Sequence, residues 1–417
     1  MIKINLFDLM LSISNVIDLI SPAISDHHKR TAYIALCIAE EAGITAKEKD
    51  EIFLTAVVHD AGAVSLKERL DILRFETPNS SHAEMSYRFL KGFNPLKELA
   101  PIVRYHHMPW QWGRGIEASG QPVPCKSHIL HLADRIAVLT KKEDVLGRAE
   151  EIKETIEGDS GRLFMPELVD AFGYVSQRES FWFDSVSPTI DTVLRSKTTL
   201  EDVEIDMDGL IEFGILFSRI IDFRSRFTST HSCGVSASAS ALAAIAGFSE
   251  EQCSMMRCAG YLHDLGKLAV PAEILEKPTG LHKKEMGVIK SHTFYTYRVL
   301  EAIPQLNTIN QWAALHHERL DGKGYPFHLG AGELSTGSRI MAVVDIFTAL
   351  AEDRPYRKGL DRNGVTRIIN NMTKEGAIDP DIVSLLEKNY ETMDGVRAEA
   401  QGRAASDYNL FRGSEER

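Results

Sequence analysis

The stretch YLHDLGKLAVPAEILEKPTGL, residues 261–281, carries a His-Asp pair at His263 and Asp264, and the histidines around that pair decide how the whole chain is read. His231 precedes the pair by 32 positions, His292 stands 24 before His316-His317, and Asp345 lies 28 after His317. The first half repeats the pattern. His27 precedes His59-Asp60 by 32, His82 precedes His106-His107 by 24, and Asp134 lies 27 after His107. Local sequence agrees: SHAEMSYRFL at 81–90 aligns with SHTFYTYRVL at 291–300, and GRLFMPELVDAF at 161–172 resembles GAIDPDIVSLLE at 376–387. Only the interval from the His-Asp pair to the next ligand-like histidine differs, 23 residues in the first half and 29 in the second. The period is too long for a solenoid, so the chain reads as two copies of one domain.

The expected domains span 1–190 and 200–417, separated by a polar, Ser/Thr-rich stretch around 185–201 that contains Pro188. A length of 417 residues accommodates both, because a single core rarely exceeds ~250–300 residues. Thr31–Ala42, Ala83–Leu90 and Val235–Ala246 carry small and apolar residues at helical spacing, and no alternating strand run stands out. The fold class is therefore all-α, a tandem of duplicated helical domains. Asn94-Pro95, Gln121-Pro122-Val123-Pro124 and Asp321-Gly322 mark breaks.

Charge narrows the partners. Lys plus Arg minus Asp plus Glu is 47 − 59 = −12, a poor balance for polymeric nucleic acid, whose phosphates call for a basic surface. The five cysteines (Cys37, Cys125, Cys233, Cys253, Cys258) form no CxxC pair and indicate neither a zinc ribbon nor a disulfide framework. The opening MIKINLFDLMLSISNVIDLI is interrupted by Asp8 and Asp18 and lacks a basic leader region, so it reads as an amphipathic first helix. With no apolar run of ~20 residues, no membrane span is expected, and the cytoplasm is the expected location.

Five histidines and two aspartates per copy suit borderline transition metals; thiolates are not offered. A lone buried histidine is usually a satisfied core residue. Here the bland reading must place every histidine and aspartate twice at near-equal spacing. Seven ligands exceed what one ion takes, so they point to two ions sharing a bridging carboxylate, an arrangement suited to phosphoester hydrolysis.

YLHDLGKLAVPAEILEKPTGL at 261–281, SH at 291–292, HHERLDGKGYP at 316–326, AVVDIFTAL at 342–350 and RPYR at 354–357 together resemble an HD-GYP domain over about 170 residues of the second half, in the right order. The resemblance implies an all-helical, HD-type, metal-dependent phosphodiesterase for cyclic di-GMP or 3′,3′-cyclic GMP-AMP, releasing a linear dinucleotide that is open to a second cut into mononucleotides. It implies two divalent ions in the second copy, iron or manganese in preference to nickel, cobalt or zinc. His231, His263, Asp264 and Asp345 would hold one ion, His292, His316 and His317 the other, with Asp264 as the bridge. Lys267 would contact the scissile phosphate and offset its developing charge. Asp321, Gly322, Gly324, Tyr325 and Pro326 would bring their loop to the substrate, and Arg354, Arg357 and Lys358 are candidates for phosphate or guanine contacts. Two positions depart from the pattern. Phe227 stands where three-metal members carry a glutamate, hence the expectation of two ions, and Thr296 replaces a common glycine in the helix that follows.

The first copy keeps His27, His59, Asp60, His82, His106, His107 and Asp134, so metal is expected there too. Ala63 replaces the lysine, HHMPWQWGRG at 106–115 replaces HHERLDGKGYP, and nothing like RPYR follows Asp134. An inactive scaffold, a nucleotide-binding regulator using Trp110 and Trp112 as stacking surfaces, and a hydrolase for another phosphoester all stay open. Rival functions for the whole chain are a non-catalytic cyclic dinucleotide receptor and a general HD nucleotide phosphohydrolase. Oligomeric state is also open, a homodimer through apolar helix faces being one arrangement for such a tandem.

Overall fold

The computed structural model describes residues 3–18, 26–63, 75, 81–200, 203–224, 230–275, 277, 280–353 and 358–413. Phe227, Arg354 and Arg357 lie outside the described residues. The chain separates into two compact units, residues 4–204 and 205–417, with the first three residues grouped with the second.

Helices of the first unit are α1 (Leu6–Asp18), α2 (His27–Glu41), α3 (Ala46–Ala56), α4 (Ser81–Lys91), α5 (Ala100–Arg104), α6 (Cys125–Leu139), α7 (Ala149–Gly158), α8 (Pro166–Val175), α9 (Glu179–Ser185) and α10 (Ile190–Ser196). Those of the second are α11 (Met207–Arg224), α12 (His231–Ile245), α13 (Glu250–Leu262), α14 (Ala272–Leu275), α15 (Lys283–Glu301), α16 (Asn307–Ala314), α17 (Thr336–Ala351), α18 (Arg362–Lys374), α19 (Pro380–Lys388) and α20 (Tyr390–Gly413). A short hairpin, Glu117–Ala118 against Gln121–Pro122, interrupts the helical pattern at a position read from sequence only as a break. Ser119 and Gly120 both take positive φ there, 50° and 75°, which suits the tight turn of a two-residue loop.

The duplication is visible in how the helices begin. Thr45 and Ser249, 204 positions apart, each cap a helix and close a reciprocal box, with Glu48 and Gln252 respectively. Such a cap is worth about 1 kcal/mol and fixes where the helix starts. Each unit is built around its histidine-led helix. In α2 every residue from His27 to Ala39 is buried. Helix α12 is lined with Ser, Ala and Gly, and a Cβ on Gly260 of α13 would lie 2.4 Å from the Ser236 Cα of α12, so small residues let the two backbones approach closely.

Two expectations change. Helix α1 forms but is not amphipathic in the usual sense: Leu6, Phe7, Leu9, Met10, Leu11, Ile13, Val16 and Ile17 are all buried, as are Ser12 and Ser14. It is enclosed on most of its circumference. The first unit also runs past the expected edge at 190 to residue 204. The reason is α10, whose Ile190 and Leu194 are buried and whose Asp191 pairs with Lys29 of α2 at 2.7 Å. A Ser/Thr-rich composition masked two core residues.

Candidate metal centres

Each unit brings its seven predicted ligands to one place. His27 and His231 open α2 and α12; His59-Asp60 and His263-Asp264 sit in the turns that follow α3 and α13. His82 lies on α4 and His292 on α15, His106-His107 and His316-His317 follow α5 and α16, and Asp134 and Asp345 are each the tenth residue of their helix. Gly62 and Gly266 explain the glycine two residues after each aspartate: a Cβ would meet the His82 carbonyl oxygen at 2.3 Å and the His292 carbonyl oxygen at 1.9 Å. Only glycine lets the His-Asp turn lie this close to the next ligand helix.

Thr296 completes this junction. Its Oγ1 accepts from the Gly266 N–H at 2.9 Å and donates to the His263 carbonyl at 3.2 Å. In the first unit Ser86 Oγ accepts from the Gly62 N–H at 2.8 Å. Thr296, singled out as a departure, therefore pins the His-Asp turn to the ligand helix.

The imidazoles are held in one tautomer. The Nδ1 atoms of His59, His106, His263, His292 and His316 lie 2.6–2.8 Å from the carbonyl oxygens of Ala56, Val103, Gly260, Ile289 and Ala313. A carbonyl only accepts, so each Nδ1 carries a proton and each Nε2 is the atom turned to the cluster, free to ligate once it is deprotonated. Asp60 and Asp264 split their oxygens between two sets. His59 Nε2 is 3.2 Å from Asp60 Oδ2, whereas His82 and His106 are both 3.4 Å from Oδ1. His263 Nε2 is 3.2 Å from Asp264 Oδ2 and His292 Nε2 3.5 Å from Oδ1. Asp134 and Asp345 close the first set of each unit, each with one oxygen 3.1 Å from His27 or His231. Donors ~2.0–2.2 Å from a shared ion stand roughly 3–3.5 Å apart, so these spacings match coordination.

Two observations test whether a cation suits the residues present. Among the described residues, His27 Nε2, His59 Nε2, Asp60 Oδ1, His106 Nε2, Asp134 Oδ1 and His263 Nε2 are buried without a well-directed hydrogen bond. Each such atom costs about 1–3 kcal/mol if left so. Electrostatics agree. Burial lowers His82 to about 4 and His292 to about 3, and lowers His107, His316 and His317 as well, leaving neutral donors. Burial also opposes charge on His59 and His231, but the carboxylates of Asp60 and Asp134, and of Glu352 and Asp345, outweigh it and raise both to about 10. Burial likewise works against ionised Asp60, Asp134, Asp264 and Asp345, yet their neighbours hold all four well below the ordinary carboxylate range: imidazoles at Asp60 and Asp345, Arg135 ahead of the imidazoles at Asp134, and His263 with Lys267 at Asp264. Ionised carboxylates set among mostly neutral imidazoles are the protonation states a metal cation takes as ligands, and the donor set fits.

Around the ligands the units differ. Lys267 Nζ lies 2.6 Å from Asp264 Oδ2 with its side chain 21% exposed. In the first unit Ala63 is buried, and the cation comes instead from Arg135, which grips Asp134 and donates to the Phe75 carbonyl at 3.2 Å. His231 Nδ1 is held by Glu352, 3.1 Å from Oε2. Sequence reasoning missed both Arg135 and Glu352. Their signals were an arginine where Ile346 stands in the second copy, and an acid seven residues past Asp345 on the same helical face, where the first copy has Lys141.

In the loop after His317, Asp321 is engaged internally: its carboxylate accepts from Arg319 at 3.0 and 2.8 Å and from the Lys323 amide at 3.1 Å. Gly322 takes φ 71°, and a Cβ on Gly324 would meet the Glu318 Cα at 2.4 Å. These three residues shape the loop. Glu318, also unforeseen, accepts from the Phe327 and Leu329 amides at 2.6 and 3.1 Å. Tyr325, next to Pro326, packs its ring on His317 with centroids 4.9 Å apart, and Lys290 Nζ lies 4.9 Å from the Tyr325 centroid. Lys358 is exposed. In the first unit Trp110 packs edge-on to His128, while Trp112 is 71% exposed and lies against Gly161. Among the described residues no helix is long and apolar enough to cross a membrane.

Comparison with known proteins agrees with the duplication. An HD domain matches residues 216–382 and a second HD domain matches residues 24–139. A 3′3′-cGAMP-specific phosphodiesterase 1 of Vibrio cholerae is 26% identical over 400 residues, covering 93% of each chain. The 3′3′-cGAMP-specific phosphodiesterase 3 of that organism is 26% identical over 434 residues, covering 92% of this chain and 94% of its own. A cyclic di-GMP phosphodiesterase of Pseudomonas aeruginosa is 40% identical over 125 residues, 30% of each chain. The crystal structure of a cyclic GMP-AMP-specific phosphodiesterase of V. cholerae superposes with TM-score 0.64 at 22% identity, over 93% of this chain and 98% of that one, a likeness of fold. The chain belongs to the HD-domain family, as a tandem of two all-helical HD domains.

Proposed function

We propose that the second HD domain hydrolyses one phosphodiester of a cyclic dinucleotide and that the first does not. The protein is a metal-dependent phosphodiesterase of cyclic dinucleotides by family. The observation that carries the division of labour is Lys267, a partly exposed cation on the bridging carboxylate that has no counterpart at Ala63. We assign His231, His263, Asp264 and Asp345 to one ion and His292, His316, His317 and Asp264 to the other; iron or manganese suits this nitrogen and oxygen donor set, with cobalt, nickel and zinc as substitutes. When bound, such a pair supplies the Lewis-acid charge that activates water and neutralises the phosphate.

The chain's own residues do the rest. Carbonyl-anchored imidazoles keep their lone pairs directed inward without rearrangement. Lys267 exchanges its contact with Asp264 for the phosphate, offsetting charge as water oxygen adds to phosphorus and the 3′-oxygen leaves with a proton. Tyr325 packs beside His317 and its ring is the proposed contact for a base; exposed Lys358 is a candidate phosphate contact, as are, from the sequence alone, Arg354 and Arg357. The linear dinucleotide formed is open to a second cut into mononucleotides.

The test is hydrolysis by the metal-reconstituted full chain, with 3′,3′-cyclic GMP-AMP assayed first, because the relatives matched over their whole length are named for it, then cyclic di-GMP and both linear products. A linear dinucleotide from a cyclic substrate is the expected result. Binding without turnover in manganese or ferrous buffer would make the protein a receptor. Turnover of linear substrates alone would make it a general phosphohydrolase.

A further inference from the structure

Helix α20 reaches the metal centre of the second unit through a chain of polar contacts. Gln401 is buried, and its Nε2 donates to Glu352 Oε2 at 2.9 Å. Glu352 accepts in turn from His231 Nδ1, at 3.1 Å to Oε2 and 3.2 Å to Oε1, while His231 Nε2 faces Asp345 at 3.1 Å. Behind Gln401, its Oε1 accepts from Arg397, which pairs with Asp394 at 2.6 Å. The line thus runs from Asp394 through Arg397, Gln401 and Glu352 to His231.

Room for this line is made by a glycine. Gly234, one turn after His231, would carry a Cβ 2.9 Å from Gln401 Nε2, so a larger residue there would displace the amide. His231 also differs from the other anchored ligands. Those donate Nδ1–H to a carbonyl of their own preceding turn, whereas His231 opens its helix and takes its anchor from a carboxylate 121 positions away. The first unit provides the control. His27 Nδ1 is buried without a well-directed hydrogen bond, Arg30 occupies the Gly234 position, and Lys141 the Glu352 position.

We propose that Gln401 is a positioning residue for the second unit's metal centre, holding Glu352 so that its carboxylate fixes the tautomer and ring orientation of His231. This rests on the assignment of His231 as a metal ligand. A carboxylate on the far nitrogen of a ligating imidazole raises its basicity, and losing such a partner typically costs ~10–100-fold in metal affinity. A side-chain amide matters here for its donor: His231 and Gln401 both present nitrogen to Oε2 of Glu352.

Two near-isosteric variants test it in the full chain, Gln401→Met, which removes the polar group, and Gln401→Glu, which keeps the shape but replaces the donor by a second carboxylate. Manganese bound per chain is measured at graded free manganese, alongside the manganese dependence and KM of cyclic dinucleotide hydrolysis, with circular dichroism to establish folding. The expected result is a roughly tenfold weaker affinity for one ion per chain in both variants, greater for Gln401→Glu. KM for the dinucleotide stays unchanged and turnover recovers as manganese rises. The same weakening persists when the Gln401 substitutions are made in the His59→Ala/Asp60→Ala background, which places the affected ion in the second unit. Folded variants that hold manganese as the wild type does, or a Gln401→Glu variant indistinguishable from wild type, would overturn the proposal. Should Gln401→Met weaken one ion while the wild type turns over no cyclic dinucleotide, the positioning role stands and the proposed function falls.

Discussion

The two HD domains gather the same seven ligand types and differ in the cation beside them. In the second, Lys267 rests on the carboxylate of Asp264 with a fifth of its side chain exposed, the charge proposed above to turn to an incoming phosphate. In the first, Arg135 is only 1% exposed and is committed to Asp134 and to the Phe75 carbonyl. A flexible lysine can follow a reacting phosphate; a buried, forked guanidinium acts as a fixed internal counter-ion. The anchoring of the first histidine differs too, a carboxylate in one unit and no well-directed partner in the other. The two ligand sets are alike; what sets the units apart is the groups that touch the ligands, and the proposed division of labour rests on those.

The strongest way to break this comparison is to remove the ligand pair from one copy at a time. His263→Ala/Asp264→Ala is expected to cut hydrolysis on the order of 10³-fold or more, about 4 kcal/mol of barrier. His59→Ala/Asp60→Ala should lower the ions bound per chain yet keep far more activity than the second-copy variant, and equal loss in steady-state assays would end the division of labour. Next comes the lysine. Lys267→Ala should cost about 10²–10³-fold in kcat, as loss of a charge-stabilising donor does. Ala63→Lys, placed in the inactive His263→Ala/Asp264→Ala chain, should restore no hydrolysis while Arg135 is present; restored turnover would show that one residue separates the copies.

Metal removal sharpens the comparison further. At manganese about 100-fold above the dissociation constant a bound ion adds about 2.7 kcal/mol, so domains of this size should melt roughly 5–10 °C higher with metal than with chelator. In His59→Ala/Asp60→Ala one melting component should lose that response in calorimetry; if none does, the first copy holds no ion. The smallest effect belongs to the matched pair Ser86 and Thr296. Alanine at either should destabilise its own unit by about 1 kcal/mol, the worth of one buried hydrogen bond. A much larger loss of metal at Thr296→Ala, read by elemental analysis, would give that hydroxyl a role in holding the ligands as well.

Much of this was legible in the residues. Histidine and aspartate spacing gave the duplication and the side chains that each unit gathers, because metal chemistry restricts residue type and a duplicated fold restricts spacing, and small and apolar residues at helical spacing gave the helical class. The hairpin at 117–122 was not legible, as two-residue strands leave no periodic signal. Nor was the burial of α1, since Asp8 and Asp18 at its two ends imitate a polar face. Arg135 and Glu352 were missed for different reasons. Arg135 looks like any arginine beside an acid until its neighbours are known to be buried. Glu352 acts on a residue 121 positions earlier in the chain.

The sequence by itself determined that two HD domains lie in tandem and which side chains each offers to metal, because those properties reside in residue type, order and interval. Tertiary structure decided what stands behind and beside those side chains: the carbonyls that choose each tautomer, the carboxylate on His231, the amide on that carboxylate and the guanidinium on Asp134. These are contacts between segments far apart in the chain. Their distances follow from how helices pack, and packing leaves no local mark in the sequence.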